Sequence, residues 1–326
     1  MRSLRNARLM AGAPLPVRDG IAPSRVYLPM GPWATVFDFL AERFRFMPAD
    51  LLRQRLENGD IVDEAGSPQR PDSPYVPHRW LWYYRIVPDE PVVPFELDIL
   101  HADDRIIVID KPHFLASIPG GRHLRETALI RLRDRFGLPG LTPVHRLDRD
   151  TAGVMLFCRD PASRGAYQSL FQSREVAKEY EAIAPWRDDL LLPYVHRSRL
   201  EPGEPHFTVV ETPGKPNSET RIELIARCGP LAHYRLLPTT GRKHQLRAHM
   251  SALGIPICND TFYPRWQPPP MEDDYSRPLQ LLARAVEFVD PFSRQPRRFE
   301  SRRELCSLAG GRGVMNVPKY PDAINT

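Results

Sequence analysis

The chain has 326 residues, 42% of them hydrophobic, with 45 Lys and Arg against 40 Asp and Glu for a formal net charge of +5. This length suits about two domains of roughly 100–200 residues each, and the apolar content excludes bulk disorder. No apolar run reaches the ~18 residues of a membrane span, and four separated cysteines without a CxxC pair argue against a structural zinc or redox motif. The basic balance, with a pI of about 9.1, permits an anionic partner such as nucleic acid. The opening MRSLRNARLMAGAPLPVRDG has too short an apolar patch for a secretory signal, so a cytoplasmic protein is expected.

Residues 1–32 hold Pro14, Pro16, Pro23, Pro29 and Pro32 with little periodicity, and read as an extended arm. Residues 33–66 change character. Val36, Phe39, Leu40 and Phe44, then Leu51, Leu52 and Leu56, recur at near-helical spacing on either side of Pro48. Two short helices are predicted, with Asp50 helping to cap the second and Gly59 ending it, before a strand at Ile61-Val62. Residues 67–96 are proline-rich and read as a linker, with the string Trp80-Leu81-Trp82-Tyr83-Tyr84 inside it. A strand would bury half of that string in a core. Beside Arg79 and Arg85 it would otherwise suit stacking on bases.

A larger domain is expected over residues 97–305, followed by a loose tail at 306–326. Strands are predicted at 106–109, 154–157, 178–183, 206–211, 219–226, 231–238, 281–289 and 295–300. Helices are predicted at 124–137, 161–174 and 242–253, the last with Leu246, Met250 and Leu253 on one face. Clustered strands with few helices lack βαβ alternation. The fold class is therefore α+β, with a mixed, largely antiparallel sheet and a small helical N-terminal region.

Chemistry concentrates in two places. In PVHRLDRDTAG (143–153), Asp148 sits among His145, Arg146 and Arg149. It is either a surface ion pair or a carboxylate kept ionised by guanidinium groups, fit to act as nucleophile or general base. No second carboxylate stands in obvious partnership, which argues against ordinary glycoside hydrolysis. The second concentration is Thr239-Thr240-Gly241-Arg242-Lys243-His244-Gln245-Leu246-Arg247, a glycine turn leading into a donor-rich helix start that suits an anion. His244 and His249 are spaced i, i+5 rather than the i, i+4 of a helical metal pair, and no phosphate-cradling glycine loop is present, so neither metal nor nucleotide cofactor is expected.

Taken together, HRLDRDTAG (145–153), VAKEYEAI (176–183) and PTTGRKHQLRAHMSALGIPI (238–257) resemble the main signatures of the RluA family of pseudouridine synthases, and LDILHADDRIIVIDKP (97–112) resembles its entry strand. The resemblance covers roughly residues 97–300. It implies cofactor-free isomerisation of uridine to pseudouridine in ribosomal or transfer RNA, by cleaving the N-glycosidic bond, turning the uracil and rejoining it through carbon 5. It implies Asp148 as the catalytic aspartate, Tyr180 stacking on the target base, and Arg247 paired with Asp148. Arg146 would fill the space left by the flipped nucleotide, and Arg242, Lys243 and His244 would contact RNA. His145 and Arg149 are expected to be structural. The helix–helix–strand stretch at 33–66 either resembles a small RNA-binding module of a ribosomal small-subunit protein or is a small helical packing element. A monomer is expected. The alternatives are a catalytically silent RNA-binding protein or a nucleoside hydrolase. The sequence departs from the family pattern at four places. Phe114 stands for a glycine after Lys111-Pro112, and Asn259 for the glycine before Asp260. Leu282 and Asp290 replace histidines.

Overall fold

The structure, a computed structural model, describes residues 13–18, 21–45, 47–86, 90–121, 123–268 and 272–305. The expected tail at 306–326 lies outside them. The chain divides into two units, Met1–Glu90 and Pro91–Thr326.

The first unit contains β1 (Ser24–Tyr27), α1 (Val36–Arg43), α2 (Ala49–Glu57), β2 (Ile61–Val62) and β3 (Trp80–Tyr83). The two helices fall where the apolar spacing placed them. Thr35 starts α1 through a capping box, its hydroxyl accepting from Asp38 N–H while the Asp38 carboxylate accepts from Thr35 N–H. Asp50 does not cap α2. It sits in the first helical turn, where its charge faces the positive end of the helix, and Pro48 holds the cap position without a side-chain bond. Gly59 follows the helix at φ +76°.

The arm and linker readings are corrected here. Part of each is strand, and β3 lies between β1 and β2 in an antiparallel sheet of order β1-β3-β2. The reason is burial. Val26 and Leu81 join Val36, Phe39, Leu40, Leu52, Leu56 and Ile61 in one core, which two helices without a sheet to cover would leave open. Leu81 and Trp82 are buried, while the Arg25 guanidinium lies 4.0 Å over the Trp80 ring.

The second unit begins with β4 (Asp98–Ala102), β5 (Ile106–Lys111), α3 (Ala128–Phe136), β6 (Thr142–Pro143), β7 (Ala152–Cys158) and α4 (Arg164–Gln172). It continues with β8 (Ala177–Pro185), β9 (Tyr194–Pro202), β10 (Val209–Thr212), β11 (Ser218–Cys228), β12 (Leu231–Pro238), α5 (Gln245–Ala252), β13 (Leu281–Val289) and β14 (Pro296–Glu300). The main sheet has order β10-β9-β11-β12-β8-β13-β7-β5-β4, with β14 on β13 and β6 on β7. Every described pair in it is antiparallel except β13 with β7.

The continuous apolar runs of β5 and β7 follow from burial on both faces. Ile107, Ile109, Met155 and Phe157 pack with Leu129 and Leu132 of α3 on one side. Ile106, Val108, Val154 and Leu156 pack with Tyr167 of α4 and with Val286 and Phe288 on the other. Leu246 and Met250 of α5 close a further core against β8, β11 and β12.

Gly153 is where β7 meets β13. The register sets Gly153 beside Ala283, and Ala283 beside Tyr180 of β8, so three adjacent strands align at one level. A Cβ on Gly153 would lie 2.2 Å from the Ala283 carbonyl oxygen, and its φ is +113°. Gly153→Ala is therefore expected to cost on the order of 4 kcal/mol, from backbone strain plus a clash that no side chain can relieve. Urea unfolding measures it, and a loss under about 1 kcal/mol would contradict the close approach.

Candidate active site

Just before β7, the loop bearing Asp148 is pinned to the segment that follows β5 by three buried side chains. Lys111 Nζ donates to the carbonyls of Pro112, Leu115 and Arg149 at 2.9, 2.8 and 3.0 Å. Burial pulls its ammonium down to about 7, but three carbonyls match the three donors of the charged form. His113 Nδ1 donates to Asp150 O at 2.6 Å, and Ser117 donates to Leu147 O at 2.6 Å and accepts from Leu147 N–H at 3.1 Å. Phe114, at the family's glycine position, keeps a glycine-like φ of +64°, and its ring packs edge-on against Tyr275 at 5.1 Å. Asn259 likewise holds φ +61°, in a region asparagine tolerates well. Both residues thus adopt the left-handed backbone region that a glycine enters freely.

A pocket of about 680 Å³ opens over this loop. Its lining includes Arg146, Arg174, Lys178, Arg242, Lys243 and Arg247, the side chain of Tyr180, and one carboxylate, Asp148. The structure thus gathers all seven site residues expected from the sequence around one cavity. Arg146, Arg242 and Lys243 are exposed at its rim, whereas His244 is buried beside Asp148.

Arg247, 2% exposed, carries Asp148 only in part. Its Nε and Nη2 form a bidentate pair with Asp260 at 2.8 and 2.7 Å, and Nη1 reaches Asp148 Oδ2 at 3.6 Å, an ion pair longer than a hydrogen bond. Asp260 also accepts from the Phe262 and Tyr263 N–H groups at 2.8 and 3.1 Å. Burial works against the charge on Arg247, but these carboxylates raise its pKa above the usual arginine value. Burial alone would raise the Asp148 carboxyl. The facing charges of His244, Arg247 and Arg146 outweigh burial and hold it below the usual carboxylate range. Burial pushes His244 down to about 4, so at neutral pH the guanidinium groups sustain that effect. Tyr180 is half-buried, and burial together with the Asp148 charge raises its phenol pKa.

The loop before α5 is set by two residues. Gln245 Oε1 accepts from the Thr240 hydroxyl at 2.7 Å and from Arg242 N–H at 3.1 Å, and Lys178 Nζ donates to Thr240 O at 2.9 Å. Burial, with Arg174 nearby, lowers Lys178 to about 8. Asp260, Lys178 and Arg174 escaped the sequence reading. Lys178 lies within the quoted motif at 176–183 and Asp260 directly after Asn259, three residues past the motif at 238–257, so their neighbourhood in sequence was the available signal.

His145 and Arg149 have structural partners. His145 accepts from Leu156 N–H at 3.2 Å and stacks on Phe171 at 4.5 Å. Arg149 pairs with Asp150 at 2.8 Å and with Asp273. His196, Glu211 and His249 bring possible metal-ligating atoms within 4.8 Å of one another, outside the pocket lining. Each of the three already has a protein partner. His196 pairs with Glu211 at 2.7 Å, and His249 meets the hydroxyls of Ser198, Ser218 and Thr220 at 3.1, 3.0 and 3.0 Å.

Burial lowers His113 to about 4 and His249 to about 3, each from 6.5. In the unfolded chain both take a proton near pH 6.5, while the folded chain refuses it until pH 3–4. Their stabilisation is thus full above pH 6.5 and drains as pH falls toward that lower range, by up to about 1.4 kcal/mol per pH unit for each. With His145 lowered to about 3 and His244 to about 4 by the same burial, the four rings together should make the unfolding free energies measured in urea at pH 7.5 and 5.5 differ by roughly 5 kcal/mol, beyond what carboxylates contribute. Equal midpoints would mean that these rings are not buried as neutral groups.

A family model described as RNA pseudouridylate synthase matches residues 105–252, which include Asp148, Tyr180 and Arg247. The dual-specificity RNA pseudouridine synthase RluA of Pasteurella multocida is 34% identical over 221 residues, covering 63% of this chain and 92% of that protein. The RluA of Escherichia coli is 35% identical over 174 residues, covering 51% and 77%. The solved human RNA pseudouridylate synthase domain containing 4 is 25% identical, with a TM-score of 0.50, covering 64% of this chain and 88% of that one. No helix among the described residues is long and apolar enough to cross a membrane. With a matching family model, relatives above 30% identity covered over more than three quarters of their length, and a shared fold, the chain belongs to the RluA family of RNA pseudouridine synthases, isomerases that convert uridine to pseudouridine.

Proposed function

We propose that Asp148 is the catalytic carboxylate of this synthase, acting on a uridine flipped into the cation-lined pocket of a ribosomal or transfer RNA. The observation that carries this reading is the pocket itself, which holds one carboxylate facing a buried guanidinium and a tyrosine ring, under a rim of exposed basic side chains. Flipping a base costs a few kcal/mol, least where pairing is already weak. Arg146 occupies the vacated place in the stack, and Arg242 and Lys243 neutralise phosphates. Tyr180 stacks on the uracil and keeps it in place after the N-glycosidic bond breaks, so that it rejoins through carbon 5 rather than leaving. Arg247 keeps Asp148 ionised. Residues 33–66 add an RNA contact, and the enzyme works as a cytoplasmic monomer without metal or cofactor.

Among the relatives, the yeast mitochondrial tRNA pseudouridine(32) synthase is 29% identical over 234 residues, and the RluA proteins are named for dual specificity. These names support ribosomal or transfer RNA as the substrate class. Mapping pseudouridines in total RNA from cells with and without the gene tests this. Sites lost from ribosomal or transfer RNA support it, and an unchanged map contradicts it.

A further inference from the structure

The two oxygens of Asp148 face different groups. Arg247 Nη1 lies 3.6 Å from Oδ2, and His244 Nε2 lies 3.8 Å from Oδ1. His244 is a strained residue at the start of α5, with φ +50° and ψ +20°. Strain of this kind persists where surrounding contacts over-determine it. Those contacts are visible. The ring is edge-on to Phe262 at 5.3 Å, and its Nδ1 lies 3.2 Å from the Tyr263 hydroxyl. The same hydroxyl accepts the Val209 N–H at 2.9 Å.

The proton positions follow from electrostatics. An ionised carboxylate repels a ring-nitrogen lone pair and attracts an N–H, so the proton sits on Nε2 and Nδ1 is left as acceptor. Tyr263 then donates its O–H to Nδ1. The hydroxyl's one proton is thereby committed to the ring, while its oxygen accepts from the backbone. The low pKa of His244, about 4 from burial, agrees with a neutral ring.

We propose that His244 is a positioning residue for Asp148, its ring fixed by Tyr263 so that Nε2–H is aimed at Oδ1 and closes on it when RNA seats. This rests on Asp148 being the catalytic carboxylate. Closing the gap needs a movement of under about 1 Å, and catalytic hydrogen bonds commonly tighten in this way. With Arg247 on one oxygen and His244 on the other, the carboxylate cannot rotate about its own axis. That is a gain in orientation rather than in charge, and it gives His244 a role other than an RNA contact.

The test measures single-turnover tritium release from carbon-5-labelled RNA at saturating enzyme, with RNA Kd by filter binding. His244→Phe keeps the aromatic volume and loses the donor. It should slow the saturated rate by on the order of tenfold to a hundredfold while changing Kd by less than about threefold. His244→Gln restores an N–H near the Nε2 position and should recover part of the rate. Tyr263→Phe, which leaves both rings, should slow the rate in the same direction by less. The inference is overturned by a parental rate in His244→Phe, by a loss confined to Kd, or by His244→Gln no faster than His244→Phe. If the histidine variants fail to fold, Tyr263→Phe decides, and a parental rate there overturns it. Asp148→Asn runs alongside. If that variant keeps the parental rate, the catalytic reading of Asp148 fails; if it is inactive while His244→Phe is unaffected, only the present inference fails.

Discussion

Asp148→Asn is expected to lower single-turnover isomerisation by about a thousandfold or more, the scale of losing a nucleophile or general base from a formed site. The change nearly preserves shape and removes only the charge. Its clarity depends on Asp260. Because Arg247 is already matched by a bidentate carboxylate, neutralising Asp148 leaves no uncompensated buried cation. Unfolding free energy should therefore move by less than about 1 kcal/mol. RNA affinity should hold or rise, since the rim cations lose a nearby negative charge. An inactive variant with parental stability and affinity would assign the loss to chemistry.

Arg247→Met is expected to lose both turnover and stability. The Asp260 side chain is 0% exposed, so removing its partner strands a buried carboxylate, at a cost of about 3–5 kcal/mol. The double variant Arg247→Met with Asp260→Asn separates the two effects. Its amide oxygen can still accept the Phe262 and Tyr263 N–H groups, so much of the stability should return. Turnover should not, because Asp148 would still lack its guanidinium. A double variant that recovered near-parental turnover would show that Arg247 acts through the fold alone.

The strands that flank the Asp148 loop, β5 and β7, were legible because both of their faces are buried. Ile106 to Ile109 and Val154 to Phe157 are apolar without a break, and both folded as expected. β9 was missed for the opposite reason. Its sequence YVHRSRLEP is largely polar, and its pairing with β10 and β11 is secured by backbone bonds and cross-strand ion pairs such as Arg197 with Glu219. Helix starts were blurred where local side-chain bonds overrode periodicity. Thr127 delays α3 to Ala128, and the Asp160 carboxylate, accepting from Ala162 and Ser163 N–H, delays α4 to Arg164.

In the site, linear motifs brought Asp148, Tyr180 and Arg247 forward, yet they could not show what holds them. The bond from His113 to Asp150 spans 37 positions, and the register of Gly153, Ala283 and Tyr180 joins three strands far apart in the chain. Such long-range partners carry no periodic signal. The same limit explains Arg247, whose expected partner Asp148 turned out to share it with Asp260.

The most direct measurement incubates the purified chain with carbon-5-tritiated RNA from cells lacking the gene, following tritium in water, pseudouridine in RNA and free uracil. The structure predicts tritium release matched by pseudouridine at discrete positions, no free uracil, and neither product from Asp148→Asn. Free uracil accumulating in place of pseudouridine, or equal tritium release from Asp148→Asn, would contradict a pocket that cleaves, retains and rejoins the base under one carboxylate.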